Sequence, residues 1–203
     1  MTMTKHILIL LSTVILFSCG AEQKKNNEAS ENQEVTNTPE LNLAFSDQFI
    51  DGQPVKYYLK MEQMPDMVSA YYHGELEIGQ NNTTDSLMEI LVSPDKNLNP
   101  FYYKCFMNIC EKADSTLSTY LGEKCIMLLE NNTYYCINKL KKGFPDYFTG
   151  LVANQIYQGD NWEEEINNLS LRLHLNLENE APELRKELDL FIVGVKNDIE
   201  HMM

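Results

Sequence analysis

The spacing of apolar residues near the C-terminus places the strongest constraint on the fold of this 203-residue chain. From Leu184 onward these residues recur every three or four positions, which puts them on one face of an α-helix. Pro182 suits the first turn of that helix, because the N–H that proline lacks would be unpaired there. The residues of the apolar face are Leu184, Leu188, Phe191, Ile192, Val195, Ile199 and Met202. Because such a helix is only marginally stable alone, the sequence predicts other elements packed against it.

Shorter apolar runs with helical spacing occur through the middle of the chain. They lie within residues 87–91, 102–109, 117–128, 137–140 and 148–156. Pro94, Asp114 and Pro145 stand between some of these runs, where helices end or begin. Short helices with short connections pack as antiparallel neighbours. The sequence therefore predicts a mainly α fold, a compact array of antiparallel helical hairpins packed as in HEAT or armadillo proteins, although no sequence period supports a true repeat.

Two segments show alternation instead of helical spacing. Between residues 55 and 78 apolar and polar residues alternate, with Pro65 in a position that suits a turn. This pattern is typical of a β-hairpin, so an α+β fold with a hairpin near 55–78 stays open as the alternative. Five leucines also alternate with other residues near the C-terminus: Leu169, Leu171, Leu173, Leu175 and Leu177. Leucine favours helices over strands, and the mainly α interpretation therefore includes this segment.

The N-terminal segment has the organisation of an export signal. Lys5 precedes an apolar run from Ile7 to Phe17, and Ser18 and Cys19 follow directly. The run is shorter than the about 20 apolar residues that a membrane-spanning helix needs. The sequence Leu-Phe-Ser-Cys at its end resembles the lipobox of bacterial lipoproteins, with Phe17 in place of the usual small residue. The resemblance implies that residues 1–18 are a lipoprotein signal peptide and that Cys19 carries lipid, including acyl chains such as palmitate.

Residues 19–40 differ from the rest of the chain in composition. After Cys19 their apolar side chains are Ala21, Ala29 and Val35, and none is aromatic. Such a segment cannot bury enough surface to offset its ordering entropy. We expect a lipidated cysteine with a disordered tether reaching about 25 Å, followed by a single globular helical domain at residues 41–203. Because Gly20 and not Asp follows the cysteine, the resemblance also implies anchoring in the outer membrane, on its periplasmic face or at the cell surface.

Acidic residues outnumber basic ones by 30 to 16, giving a formal net charge of −14. This charge argues against nucleic acid as a partner. Between Asp160 and Met203 there are eleven acidic and four basic residues. This excess is typical of a solvated helix face, but it also suits a basic protein partner. The candidate residues for such an acidic surface are Glu163, Glu164, Glu165, Glu178, Glu180 and Glu183.

Four cysteines follow Cys19 in the chain: Cys105, Cys110, Cys125 and Cys136. An oxidising compartment would permit disulfides between them. In an antiparallel helical hairpin that turns near Ser115, Cys105 and Cys125 lie opposite each other. The sequence therefore predicts a disulfide between these two, with Cys136 as the alternative partner of Cys125. Buried free thiols are the other interpretation. No pair has the two-to-four-residue spacing of a zinc site, and we predict no metal or cofactor.

Motifs of known catalytic chemistry are absent from the sequence. It contains no G-x-S-x-G, no H-E-x-x-H and no glycine-rich phosphate loop, so we predict no catalytic residues and no enzymatic activity. The leading hypothesis is a membrane-anchored module that binds another protein, for example an immunity protein against a secreted toxin. An envelope assembly or scaffold protein is the alternative. A hydrolase that uses the carboxylates of Glu163–Glu165 is the third and weakest hypothesis.

Overall fold

A computed structural model describes residues 43–140 and 145–203 of the protein. The predicted signal peptide, Cys19 and the tether lie outside the described residues, and the expectations about them stay predictions. Within the described residues no helix is long and apolar enough to cross a bilayer.

Helices dominate the described residues, which confirms the mainly α prediction. Two short strands come first, β1 (Phe49–Ile50) and β2 (Gln53–Pro54). The helices that follow are α1 (Val55–Leu59), α2 (Asp66–Tyr72), α3 (Asn82–Val92), α4 (Asn99–Lys112), α5 (Ser115–Asn131), α6 (Thr133–Leu140), α7 (Asp146–Tyr157), α8 (Trp162–Asn176) and α9 (Pro182–Met202).

Side chains at the helix starts explain several of these boundaries. The Asn81 and Asp114 side chains each accept a hydrogen bond at 2.8 Å from a first-turn N–H, at the starts of α3 and α5. At the start of α8 the Asn161 side chain accepts from the Glu164 N–H at 3.4 Å. Each of these bonds satisfies an N–H that has no partner within the helix. Pro182 occupies the first turn of α9, as its position in the sequence predicted.

Between residues 55 and 78 helices replace the hairpin of the alternative interpretation. Residues Val55 and Tyr58 of α1 are both buried, three positions apart. The Tyr58 ring stacks on Phe101 with centroids 5.7 Å apart, and its hydroxyl donates to the Ile50 carbonyl at 3.0 Å. Burial at helical spacing therefore outweighs the alternation of side chains in this segment. Among the described residues before this segment there is a short hairpin with strands of two residues each, in which β1 pairs antiparallel with β2 across Asp51 and Gly52.

The longer helices form layers around one continuous hydrophobic core. Successive odd-numbered helices contact one another in the order α3, α5, α7, α9. Each of α3, α5 and α8 also packs against the helix that follows it, as in a helical hairpin. This arrangement agrees with the predicted layered array. Helices α4 and α5 are different: although they are consecutive, they pack mainly on α3 and α7 and not along each other.

Candidate functional site

Helix α8 is apolar on two sides, which explains its alternating leucines. One side, formed by Ile166, Leu169 and Leu173, is buried in the core. Leu171 and Leu175 point the other way, with 61% and 60% of their surface exposed. An alternating sequence in a helix necessarily distributes its apolar residues over both faces. At spacings of three or four positions, the solvent face of α8 consists of Glu164, Asn168, Leu171, Leu175 and Glu178, the last just beyond the helix end, and all five are exposed.

Helix α9 repeats this pattern. Its buried face contains the apolar residues predicted from the sequence except Met202, which is 41% exposed at the end of the chain. Leu190 and Val193 are 53% and 52% exposed on the opposite side. The solvent face of α9 consists of Glu183, Lys186, Leu190, Val193, Asn197 and Glu200, again at spacings of three or four positions and all exposed. Both helices thus place two aliphatic residues between acidic ends.

Two contacts between α8 and α9 determine how these faces align. His174 Nε2 lies 3.1 Å from the Asp189 carboxylate, and Lys196 Nζ donates to Asn167 Oδ1 at 3.3 Å. The helices are therefore antiparallel, with Leu171 and Leu175 at the same level as Leu190 and Val193. At 1.5 Å per residue the four side chains fall within about 8 Å along the helix axes. We call Leu171, Leu175, Leu190 and Val193 the apolar patch.

The predicted acidic surface is divided between the two ends of α8. Glu163, Glu164 and Glu165 form its first turn, whereas Glu178, Glu180 and Glu183 lie in the connection to α9 and at the start of α9. All six are exposed. The 15 residues of α8 separate the two groups by about 22 Å, so they do not form one continuous patch. Instead they flank the apolar patch at its two ends.

The structure contains neither the predicted disulfide between Cys105 and Cys125 nor its alternative with Cys136. All four cysteines are buried and free. Cys110 is the cysteine that approaches Cys125, with the two sulfurs 4.0 Å apart. The prediction assumed that α4 and α5 lie side by side as a hairpin. Both helices instead pack on α3 and α7. Residues at equal distances from the connection between α4 and α5 are therefore not opposite each other.

A buried lysine joins α3 to α5 in a cluster that the sequence analysis did not predict. Lys124 pairs with Glu89, lies 3.6 Å from Asp85, and is only 6% exposed. The Tyr120 hydroxyl donates to Asp85. Burial lowers the pKa of Lys124, but its hydrogen bond to Glu89 and the surrounding carboxylates outweigh burial and leave the pKa raised. The ammonium therefore stays charged near neutral pH, which suits an ion pair between helices and not a general base.

A pocket of about 450 Å³ opens near the first described residues. Its apolar lining includes Leu76, Ile109 and Leu117, and its charged side chains are Lys112 and Asp114. The Lys112 ammonium donates to the Ala44 carbonyl at 2.8 Å, and the Asp114 carboxylate accepts from the first turn of α5. Both charges thus have structural partners. Within the described ranges no group of His, Cys, Asp or Glu side chains is arranged to hold a metal ion.

A second depression, of about 520 Å³, is lined mostly by polar residues of the α3–α4 connection, of the starts of α4 and α6, and of the ends of α5 and α8. Its asparagines are engaged with the protein itself. Asn99 donates to Asn132 at 2.7 Å, Asn131 donates to the Val92 carbonyl at 3.0 Å, and Asn176 donates to the Glu130 carbonyl at 2.9 Å. These bonds hold the ends of α3, α5 and α8 together, which is a structural role.

Comparison with known proteins gives no relative for this chain. No protein-family model, no curated protein and no solved structure matches it.

Proposed function

We propose that this protein binds another protein through the solvent face of α8 and α9. The observation that carries the proposal is the apolar patch, in which four aliphatic side chains are more than half exposed on two adjacent helices. Exposed aliphatic residues that occur singly are ordinary, whereas four at the same level of two adjacent helices, with acidic residues beyond both ends, make a candidate interaction surface. Each side chain is already partly buried, so burying its exposed part would contribute about 1–1.5 kcal/mol before the entropic cost of association.

The charges around the apolar patch define the chemistry of the partner. Glu164 and Glu178 lie at the two ends of the α8 solvent face, about 21 Å apart along the helix. Glu183 and Glu200 occupy the equivalent positions on α9. A complementary partner presents apolar side chains in its centre and Lys or Arg at both ends, as a basic amphipathic helix does. The acidic groups contribute mainly to association rate and specificity, and the aliphatic side chains to affinity.

In this proposal the protein is held at the outer membrane by lipid on Cys19, and the tether separates the helical domain from the bilayer. Support comes from the lipobox-like sequence and from the composition of residues 19–40. More than one acyl chain would make the attachment stable, because a single chain binds a membrane only marginally. An immunity protein against a secreted toxin fits this arrangement, and so does an envelope assembly protein. The two differ in the identity of the partner.

The anchor is tested by metabolic labelling with radioactive palmitate. We expect label in the wild-type protein and none in the Cys19→Ala variant, since that substitution removes the thiol that accepts the lipid. Cys136→Ala is the matched control, because it also removes one cysteine and should leave the label unchanged. Label in the Cys19→Ala variant would disprove the lipid anchor.

Partner binding is tested by affinity capture of envelope proteins on the detergent-extracted, tagged full chain. We expect one basic protein to be retained at low salt and to be released in part at high salt. Salt screens the acidic residues at the ends of the apolar patch but does not weaken the apolar contact. Retention must be lost when Leu171 and Leu190 are both replaced by serine. If no protein is retained but glycan is hydrolysed, the binding proposal fails and the hydrolase hypothesis replaces it. The exposed Glu163–Glu165 carboxylates give that hypothesis little support.

A further inference from the structure

We infer that Cys110 and Cys125 form a disulfide when the protein meets an oxidising environment. Their sulfurs lie 4.0 Å apart, and both side chains are buried. Among the described residues no other pair of cysteine sulfurs lies within this distance. The Cys136 thiol instead contacts the Leu128 carbonyl, 3.7 Å from its sulfur. The structure describes the reduced form of the pair, and the bond would connect α4 to α5.

Forming the bond requires the two sulfurs to approach by about 2 Å, because a disulfide is about 2.05 Å long. The position of Cys110 favours this movement. It lies in the last turn of α4, which ends at Lys112, and Ala113 and Asp114 connect directly to α5. The ends of helices fray and adjust more readily than their centres. Cys125 lies in the interior of α5, so the expected movement is on the Cys110 side.

The reaction is a thiol–disulfide exchange with a small disulfide such as oxidised glutathione. One cysteine, as the thiolate, attacks the disulfide and releases one glutathione thiol, and the second cysteine then displaces the other. The protein loses two electrons and two protons, and the oxidant is reduced to two thiols. Burial raises the pKa of Cys125 well above its ordinary value, and its contact with Cys110 raises it further. The Cys125 thiolate is therefore scarce in the folded protein, and both side chains are shielded from the oxidant by burial, so that oxidation is slow after folding and faster while the chain folds.

In the cell this inference depends on the export that the proposed function includes, because the cytoplasm keeps thiols reduced. The disulfide and the export are tested separately by comparing protein isolated from cells with protein oxidised after purification. The full chain is extracted in detergent, its free thiols are alkylated, and the digest is analysed by mass spectrometry without reduction. We expect peptides joined through Cys110 and Cys125 in both samples, and a melting temperature higher by roughly 5 to 10 °C than that of reduced protein.

The cysteine variants provide the controls. Cys110→Ser and Cys125→Ser should each eliminate the linked peptides, whereas Cys105→Ser and Cys136→Ser should retain them. Protein that is reduced in cells but forms this bond with oxidised glutathione would support the pairing and contradict the proposed export. Any other pairing, or four unreacted thiols after prolonged incubation with oxidised glutathione, would overturn the inference.

Discussion

Replacing Gly122 by alanine is expected to lower the free energy of unfolding by about 1–3 kcal/mol, although alanine is the better helix former. Gly122 lies in α5 where this helix crosses α7. A Cβ atom built on it would lie 2.7 Å from the Gln155 Cβ and 2.8 Å from the Leu151 carbonyl oxygen. Because the second neighbour is backbone, the two helices must separate to admit even one methyl group. Urea denaturation followed by circular dichroism measures the loss.

Gly150→Ala is the matched control for this prediction. Gly150 lies in α7, and a Cβ atom built there has nothing within 4 Å. The substitution should stabilise the protein by about 0.5–1 kcal/mol, because alanine loses less conformational entropy in a helix than glycine does. The two substitutions are chemically identical and have opposite expected signs. Equal stabilisation by both would show that α5 and α7 are not in close contact at Gly122.

The second large effect concerns the apolar patch. Substituting serine for both Leu171 and Leu190 is expected to weaken binding of the captured partner on the order of 100-fold, because burying the exposed part of each leucine contributes about 1.4 kcal/mol, which is a factor of ten in affinity. Both side chains are exposed in the unbound protein, so stability should change little. The comparison variant is Phe49→Ser, which removes a side chain that is 63% exposed in β1 and leaves the apolar patch intact. Affinity is measured with the purified partner.

The helices were predicted well, because the spacing of apolar residues and the side chains that cap helix starts both act over a few neighbouring residues. Pro182 and Asp114 are examples of correctly placed helix starts. The approach of Cys110 to Cys125, in place of Cys105, was not predicted, because that required knowing which helices lie side by side, and tertiary packing decides that. The ion pair of Lys124 with Glu89 was missed for the same reason, since its partners are on different helices.

The alternating leucines are a sign of the apolar patch in the sequence, but their interpretation depends on the secondary structure. Alternating leucines in a strand would all point to one face, and in a helix they cannot. Once α8 is known to be helical, Leu171 and Leu175 must lie on a different face from Leu169 and Leu173. Their alignment with Leu190 and Val193 still required the contacts between α8 and α9. The acidic residues were identified from composition alone, which does not reveal that α8 separates them into two groups.

Site-specific photocrosslinking in intact cells tests the central claim, that the solvent face of α8 and α9 is where a partner binds. A photoreactive phenylalanine analogue is placed in turn at Leu171, Leu175, Leu190 and Val193, with Phe49 as the control position of similar exposure. We expect all four positions to crosslink to the same basic protein and position 49 not to do so. Absence of crosslinks at the four positions, crosslinks only to a second copy of this chain, or an equal yield at position 49 would contradict it.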